Sequence, residues 1–254
     1  MSWDFPGTGA FESQVGTVPV TGPPFTMCCF FTPDAVTTEG HIISIHDFSA
    51  VELHNLSIDI SNTSQLSAGS FDGGWAVADE GTTLTNGVAH HGCGIWTSST
   101  DRVSVLDGNW AGRGTNTTSK NPTGVDHLSI GGQYFNSAST PQNEFNGRIA
   151  EVGMWNVALT QFEVEALAAG VSPLLIRPGN LVFYAPFLGD QNDDLTGNAP
   201  LTTDGTTPTV VEQHPAIYKP HNQVIRFPSV AAPPSGLTIP IAAYHYNHNI
   251  GSKL

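Results

Sequence analysis

Three kinds of side-chain chemistry are spaced closely enough along this chain to act together. Asp190, Asn192, Asp193 and Asp194 crowd a short stretch between Gly189 and Gly197. Oxygen donors at that density suit a hard cation such as calcium, but the stretch lacks the long loop closed by a bidentate Glu that dedicated calcium loops use. The expectation is therefore no metal, with Asp190, Asn192 and Asp194 as the ligands if calcium is taken and an exposed acidic turn otherwise. Asp72, Asp79 and Glu80 form a sparser second group. The second chemistry is an aromatic ring beside hydrogen-bonding groups, the combination that holds a sugar ring. Trp75 ends the run FDGGW from Phe71, and Tyr134 and Asn136 stand in GGQYFN from Gly131. Both runs read as loops, and aromatic anchors that merely close the end of a fold fit them equally well. The third is histidine, of which there are ten. On a strand, adjacent His90 and His91 point to opposite faces, as do His41 and His46, so neither pair chelates by itself.

The elements that must position these residues follow from composition. Charged residues are only 12% of the chain, so its polar surface must be Thr, Ser, Asn and Gly, which suits sheets better than long amphipathic helices. With 27 Gly and 18 Pro as punctuation, the chain reads as many short strands joined by turns. The net charge of −14 argues against a nucleic-acid partner. No segment approaches the roughly 18 apolar residues of a membrane helix. Met1 to Ala10 has neither the basic nor the apolar region of a secretory signal, which predicts synthesis in a cytoplasm unless a signal was removed before this numbering. Cys28, Cys29 and Cys93 are odd in number, and neighbours on a strand cannot share a core partner, so reduced buried thiols are expected.

Strands are expected at 2–5, 25–32, 41–46, 51–60, 148–155, 181–187 and 209–211. In the second, Phe25, Met27, Cys29 and Phe31 share one face while Cys28 and Phe30 take the other, so it should be covered on both sides. Apolar parity slips near Asn55, which predicts a bulge or break there. Asp107-Gly108 predicts a two-residue hairpin between 103–106 and 109–111. One helix is signalled, with Thr160 and Glu163 as its capping box, Phe162, Ala166 and Leu167 as its apolar stripe, and Gly170 and Pro173 as its stop. Trp96, Trp110 and Trp155 read as core. Residues 219–254 change texture: five prolines interrupt Val230, Leu237, Ile239, Ile241, Tyr244, Tyr246 and Ile250. That is too apolar for a solvated linker, and reads as an extended arm that lies on a partner or on its own domain.

Several blocks together resemble a known family. The opening WDFPG from Trp3, PFTMCCFFTP from Pro24, the block Val88 to Asn109, and FNGRIAEVGMWNVAL from Phe145 resemble the laminin-G-like branch of the concanavalin A-like lectin/glucanase superfamily, over about residues 1–175. The resemblance implies an all-β jelly-roll sandwich of two antiparallel sheets, here with one short helix and the extended C-terminal arm. Residues 176–218 then complete its sheet edge, giving a domain over 1–218 and the arm over 219–254. It also implies that calcium could sit at a sheet rim.

Retaining glucanases of that superfamily use an E-x-D-x-E strand, which holds paired carboxylates about 5 Å apart on one face. The nearest match, Glu151 to Trp155, has Gly153 and Trp155 where the other acids belong. Glu163 and Glu165 fall on different faces of the helix. A non-enzymatic protein is therefore expected, with Glu151 as a paired structural acid on the face of Ile149 and Trp155. By analogy with such domains in phage gene products, the expected role is a virion component. It would be a capsid decoration or head-surface protein, made in the host cytoplasm and held by its arm on the major capsid protein or on copies of itself. The alternative is a lectin-like module that binds a glycan through Trp75, Tyr134 and Asn136.

Overall fold

The computed structural model of the chain describes residues 2–13, 17–59, 61, 64–134, 142–187, 196 and 201–211. Its strands are β1 (Ser2–Pro6), β2 (Gly9–Ser13), β3 (Phe25–Pro33), β4 (Gly40–His46), β5 (Glu52–Asp59), β6 (Gln65–Asp72), β7 (Trp75–Asp79), β8 (His90–Ser98), β9 (Asp101–Leu106), β10 (Gly114–Asn116), β11 (His127–Ile130) and β12 (Asn146–Trp155). After helix α1 (Gln161–Ala168) come β13 (Leu181–Ala185), β14 (Leu201–Gly205) and β15 (Thr209–Val211). They form two sheets. The first runs β10-β9-β8-β3-β12-β1-β15, with β13 also on β12, and the second runs β14-β2-β11-β4-β5-β6-β7. The strands of 181–211 thus pair with β12, β2 and β1, supplying both sheets. The described residues all fall in one compact unit, Met1–Lys219. The arm residues Val230, Leu237, Ile239, Ile241, Tyr244, Tyr246 and Ile250 lie outside the described residues. Among the described residues, no helix is long and apolar enough to cross a membrane.

Period-two alternation builds the main core. Phe25, Met27, Cys29 and Phe31 of β3 meet Ile43, Ile45, Leu56, Ile58, Leu66, Leu128 and Ile130 of the second sheet. On the opposite face of the first sheet, Cys28, Cys93, Ile95, Val105 and Trp155 pack on Val164 and Leu167 of α1. β3 is therefore covered on both sides, as its two apolar parities predicted.

Several sequence expectations need correction. Cys28 and Cys93 are not free thiols but a disulfide, with Cα atoms 4.2 Å apart. They do point away from the face of Cys29; the partner of Cys28 is simply the residue directly across on β8. Cys29 remains free, its thiol pushed up by burial. The helix phase is also different. Val164 and Leu167 are its buried residues, while Phe162 is 79% exposed, because packing against β8 selects the i, i+3 pair rather than the Phe162–Ala166 stripe. The cap is as expected: Glu163 accepts from the Thr160 backbone N–H at 2.7 Å and from its hydroxyl at 2.8 Å. At the other end Gly170 (φ +88°) closes a Schellman turn, Val171 N–H donating to Ala166 O and Gly170 N–H to Leu167 O.

Asp107 and Gly108 both take positive φ, but the hairpin they begin is not a two-residue one. A 3-10 turn at Trp110–Gly112 follows before β10 pairs with β9, because the Asn109 side chain accepts from the Gly112 N–H. That places Trp110 half-buried against the second cluster, with Arg113 5.1 Å from its ring, at the edge of the core and not inside it. Finally, β5 runs unbroken against β6 through Asn55. Its parity slip means only that Leu53 lies outside the main core while Leu56 and Ile58 lie in it. The irregularity sits across from it, between His41 and Ile43 of β4.

Candidate functional site

The outer face of the second sheet carries the site. Along β5, Asn55, Ser57 and Asp59 alternate with core-facing Leu56 and Ile58. Asn55 stands opposite Gly69 of β6, and Gly69 opposite Val77 of β7, so the three form a row across the sheet. Trp75, two residues before Val77, shares that face. A side chain at Gly69 would place its Cβ 2.3 Å from Asn55 Oδ1 and 3.2 Å from the Trp75 ring. The missing Cβ is what lets indole and amide approach each other. A cavity of about 210 Å³ opens over this row, walled by Trp75, Asn55, Ser57, Asp59 and Glu39. Trp75 is 46% exposed and braced edge-on by Phe71, ring centroids 5.2 Å apart.

A short relay orients the polar wall. Ring N–H at His41 Nε2 donates to Glu39 Oε1 at 3.1 Å. Its Nδ1 therefore accepts, with Asn55 Nδ2 and Ser44 Oγ each 3.2 Å away. One Asn55 amide N–H thus goes to His41, while its buried Oδ1 has no partner. Glu39 is held below the usual carboxylate range chiefly by the His41 hydrogen bond, against the desolvation that opposes it. Asp59 Oδ1 accepts from the Ser61 N–H at 2.7 Å and hydroxyl at 2.6 Å. The site as a whole offers an aromatic wall and a set of hydrogen-bond acceptors.

The β4 irregularity also corrects the histidine expectation. His41 bonds to Ser44, which shares a face with His46 two residues on, so His41 and His46 lie on one face. His46 stacks between His127 at 5.4 Å and Tyr134 at 6.1 Å, and Phe48 covers His127 at 4.9 Å. Tyr134 is consequently 1% exposed and is no open platform, while Asn136 lies outside the described residues. Of the sugar-binding candidates, Trp75 is the one placed at the cavity, and it opens strand β7 instead of sitting in a loop.

The acidic candidates do not converge. Asp72 accepts from the Asn121 N–H, Asp79 from the Ser67 hydroxyl, and Glu80 from Thr82. Among the described residues no three His, Cys, Asp or Glu side chains gather as a metal site, and Asp190, Asn192 and Asp194 lie outside them. Glu151 does not share a regular strand face with Ile149. The register of β12 shifts between Ala150 and Gly153, Glu151 takes φ +52°, and its carboxylate accepts from the buried Tyr184 hydroxyl. Sequence reasoning missed Glu39, Asn55, Ser57 and Asp59. The signal for the last three was present as polar residues at every second position through 55–59.

A family model described as the concanavalin A-like lectin/glucanases superfamily, Laminin_G_3, matches residues 7–165. Among solved structures, the chain is similar to a proposed carbohydrate binding protein from Bacteroides ovatus, with a TM-score of 0.57, 17% identity, and coverage of 85% of this chain and 61% of that one. It is also similar to domain 4 of AbnA, a GH43 extracellular arabinanase from Geobacillus stearothermophilus, in complex with arabinotriose (TM-score 0.54, 16% identity, 66% of this chain and 76% of that one). A third is the heptameric SAP-like pentraxin of Limulus polyphemus (TM-score 0.52, 15% identity, 83% and 95%). The chain spans 61% of the length of the first of these. At such identities the likeness is one of fold. No curated protein matches the sequence.

Proposed function

The chain belongs to the concanavalin A-like lectin/glucanase superfamily as a laminin-G-like domain, and from that premise we propose that it is a carbohydrate-binding module that holds a sugar without chemically changing it. The observation that carries this reading is the half-exposed Trp75 indole beside the buried, unpartnered Asn55 Oδ1 in one cavity. An aromatic face with a few aimed polar groups is how proteins hold a ring that is apolar on its faces and hydroxylated at its edge. Neighbours of the same fold support it, one a proposed carbohydrate binding protein and one in complex with arabinotriose. The absence of strand-paired acids around Glu151, and its burial against Tyr184, support binding over hydrolysis.

The test is a glycan array followed by calorimetry. Trp75→Ala is expected to weaken the best ligand by about 30-fold or more, the scale of a buried aromatic anchor. We further propose that calcium is not required, so EDTA should leave the affinity unchanged. Binding that survives Trp75→Ala would sink this site, and a blank array would sink the function.

A second role is compatible with the first and is favoured by one feature, the apolar residues Val230, Leu237, Ile239, Ile241, Tyr244, Tyr246 and Ile250 in the Pro-rich segment 219–254. In that reading the segment anchors the sugar-binding domain on a phage virion assembled in the host cytoplasm, on the capsid protein or on copies of this chain. Deleting 220–254 should then leave sugar binding intact while the protein no longer joins the particle. Normal incorporation of the shortened chain excludes the anchor.

A further inference from the structure

We infer that the Trp75 pocket selects saccharides that carry no negative charge, taking hydroxyl or ammonium donors and rejecting sugars that bear carboxylate, sulfate or phosphate. The inference rests on the carbohydrate-binding reading and narrows it to a ligand class. Its basis is a count of hydrogen-bonding capacity around the cavity.

The wall is almost entirely acceptor. Glu39 spends Oε1 on His41 and Asp59 spends Oδ1 on Ser61, which leaves the second oxygen of each carboxylate to accept. Asn55 adds a buried Oδ1 that has no partner, an acceptor whose desolvation is offset only when a donor arrives. Most of the polar protons nearby are already committed. The Ser61 hydroxyl donates to Asp59, the His41 N–H to Glu39, and the Asn55 amide to His41. The Trp75 indole N–H and the Ser57 hydroxyl, which turns either way, are left to meet a ligand's own oxygens.

Among the described residues no Lys or Arg lines the cavity. Lys120 lies at the Gly73-Gly74 turn beside Trp75, but its ammonium donates to the Asp72 carbonyl. A bound anion would therefore meet two carboxylates in the wall, with Lys120 outside it and turned to the Asp72 carbonyl, on a chain whose net charge is already −14. At about 210 Å³ the cavity is smaller than the roughly 300–1,000 Å³ of sites for drug-sized ligands, so a single ring stands on Trp75 and its own substituents are what the carboxylates read.

The experiment titrates the full chain with three sets of oligosaccharides: neutral (arabino-, gluco- and galacto-oligosaccharides), amine-bearing (chitosan oligomers) and acidic (oligogalacturonate, sialyllactose). Expected is Trp75-dependent binding of a neutral or amine-bearing set, with the acidic set weaker by at least about 100-fold. The neutral and amine arms separate hydroxyl from ammonium as the donor. In the isosteric double variant Glu39→Gln, Asp59→Asn, the ratio of neutral to acidic affinity should fall by about tenfold or more. Asp59→Asn alone, which leaves the Glu39–His41 relay in place, should shift the ratio in the same direction and serves if the double variant melts early. Tight, Trp75-dependent binding of an acidic sugar by the wild type overturns the inference and leaves the carbohydrate reading standing. An unchanged ratio in both folded variants also overturns it. A chain that binds none of the three sets overturns the carbohydrate reading itself.

Discussion

Lowering the pH from 7 to 5 is expected to cost the sandwich several kcal/mol of stability, read as a falling urea midpoint with the slope of the transition unchanged. Three buried histidines are responsible. Burial pushes His46 down to about 3, with the neighbouring His127 adding to it, and pushes His54 down to about 3, with the charge of Arg102 adding to it. Burial also pushes His91 down to about 4, partly opposed by Asp107. In the unfolded chain each takes a proton near 6.5, whereas in the folded chain it stays neutral until the pH reaches its depressed value. The unfolded state thus binds more protons between these limits. The stabilisation is complete above pH 6.5 and is lost as the pH falls toward 4 and then 3. By pH 5 each histidine contributes on the order of 2 kcal/mol to that loss. A urea midpoint that stays flat from pH 7 to 5 would contradict the burial of all three.

Arg102→Met is expected to destabilise the fold by on the order of 3 kcal/mol, or roughly 6–12 °C in melting temperature, by removing the three charge-assisted hydrogen bonds that a buried guanidinium makes. Arg102 is fully buried, and its guanidinium donates to Asn116 Oδ1 at 3.2 Å and to the carbonyls of Ser99 and Thr118 at 3.0 Å each. Methionine keeps much of the volume but none of these bonds. Asn116 also donates to the Val77 carbonyl at 2.8 Å, so the same substitution loosens the tie between β10 and β7, the strand that carries Trp75. Sugar affinity should weaken along with stability. Arg113→Met, at an exposed guanidinium over Trp110, is the matched control and should change stability by less than about 1 kcal/mol. Equal effects of the two substitutions would refute the role given to Arg102.

How far the sequence could be read depended on whether a feature is local. The apolar double parity of 25–31 and the Thr160–Glu163 box are local, and both lead directly to β3 buried on two faces and to α1. The phase of α1 is not local, because the face that turns inward is chosen by β8. The same division runs through the site. Trp75 was legible as an aromatic beside glycines, and the alternation 55–57–59 was there to be read. His41 reaches Asn55 only because β4 slips register between His41 and Ile43, and no residue type there announces a slip. Tyr134 looked equivalent to Trp75 by composition. It is buried by a stack whose members come from β4, β11 and the Phe48 loop, which spacing along the chain cannot reveal.

The pairing of the first two strands has a consequence for the order in which this protein is assembled on the ribosome. Trp3 is bridged to Ile149 on one side and Val210 on the other, and Glu12 to Ser129 and Thr202. β1 and β2, made before their partners, must therefore wait, with apolar Trp3 and Phe5 uncovered, until almost the whole sandwich has been synthesised. Folding of that kind is slow, and its waiting strands are open to wrong partners. Nascent chains truncated before β12 should leave β1 available to a chaperone, and chains extended past β15 should release it.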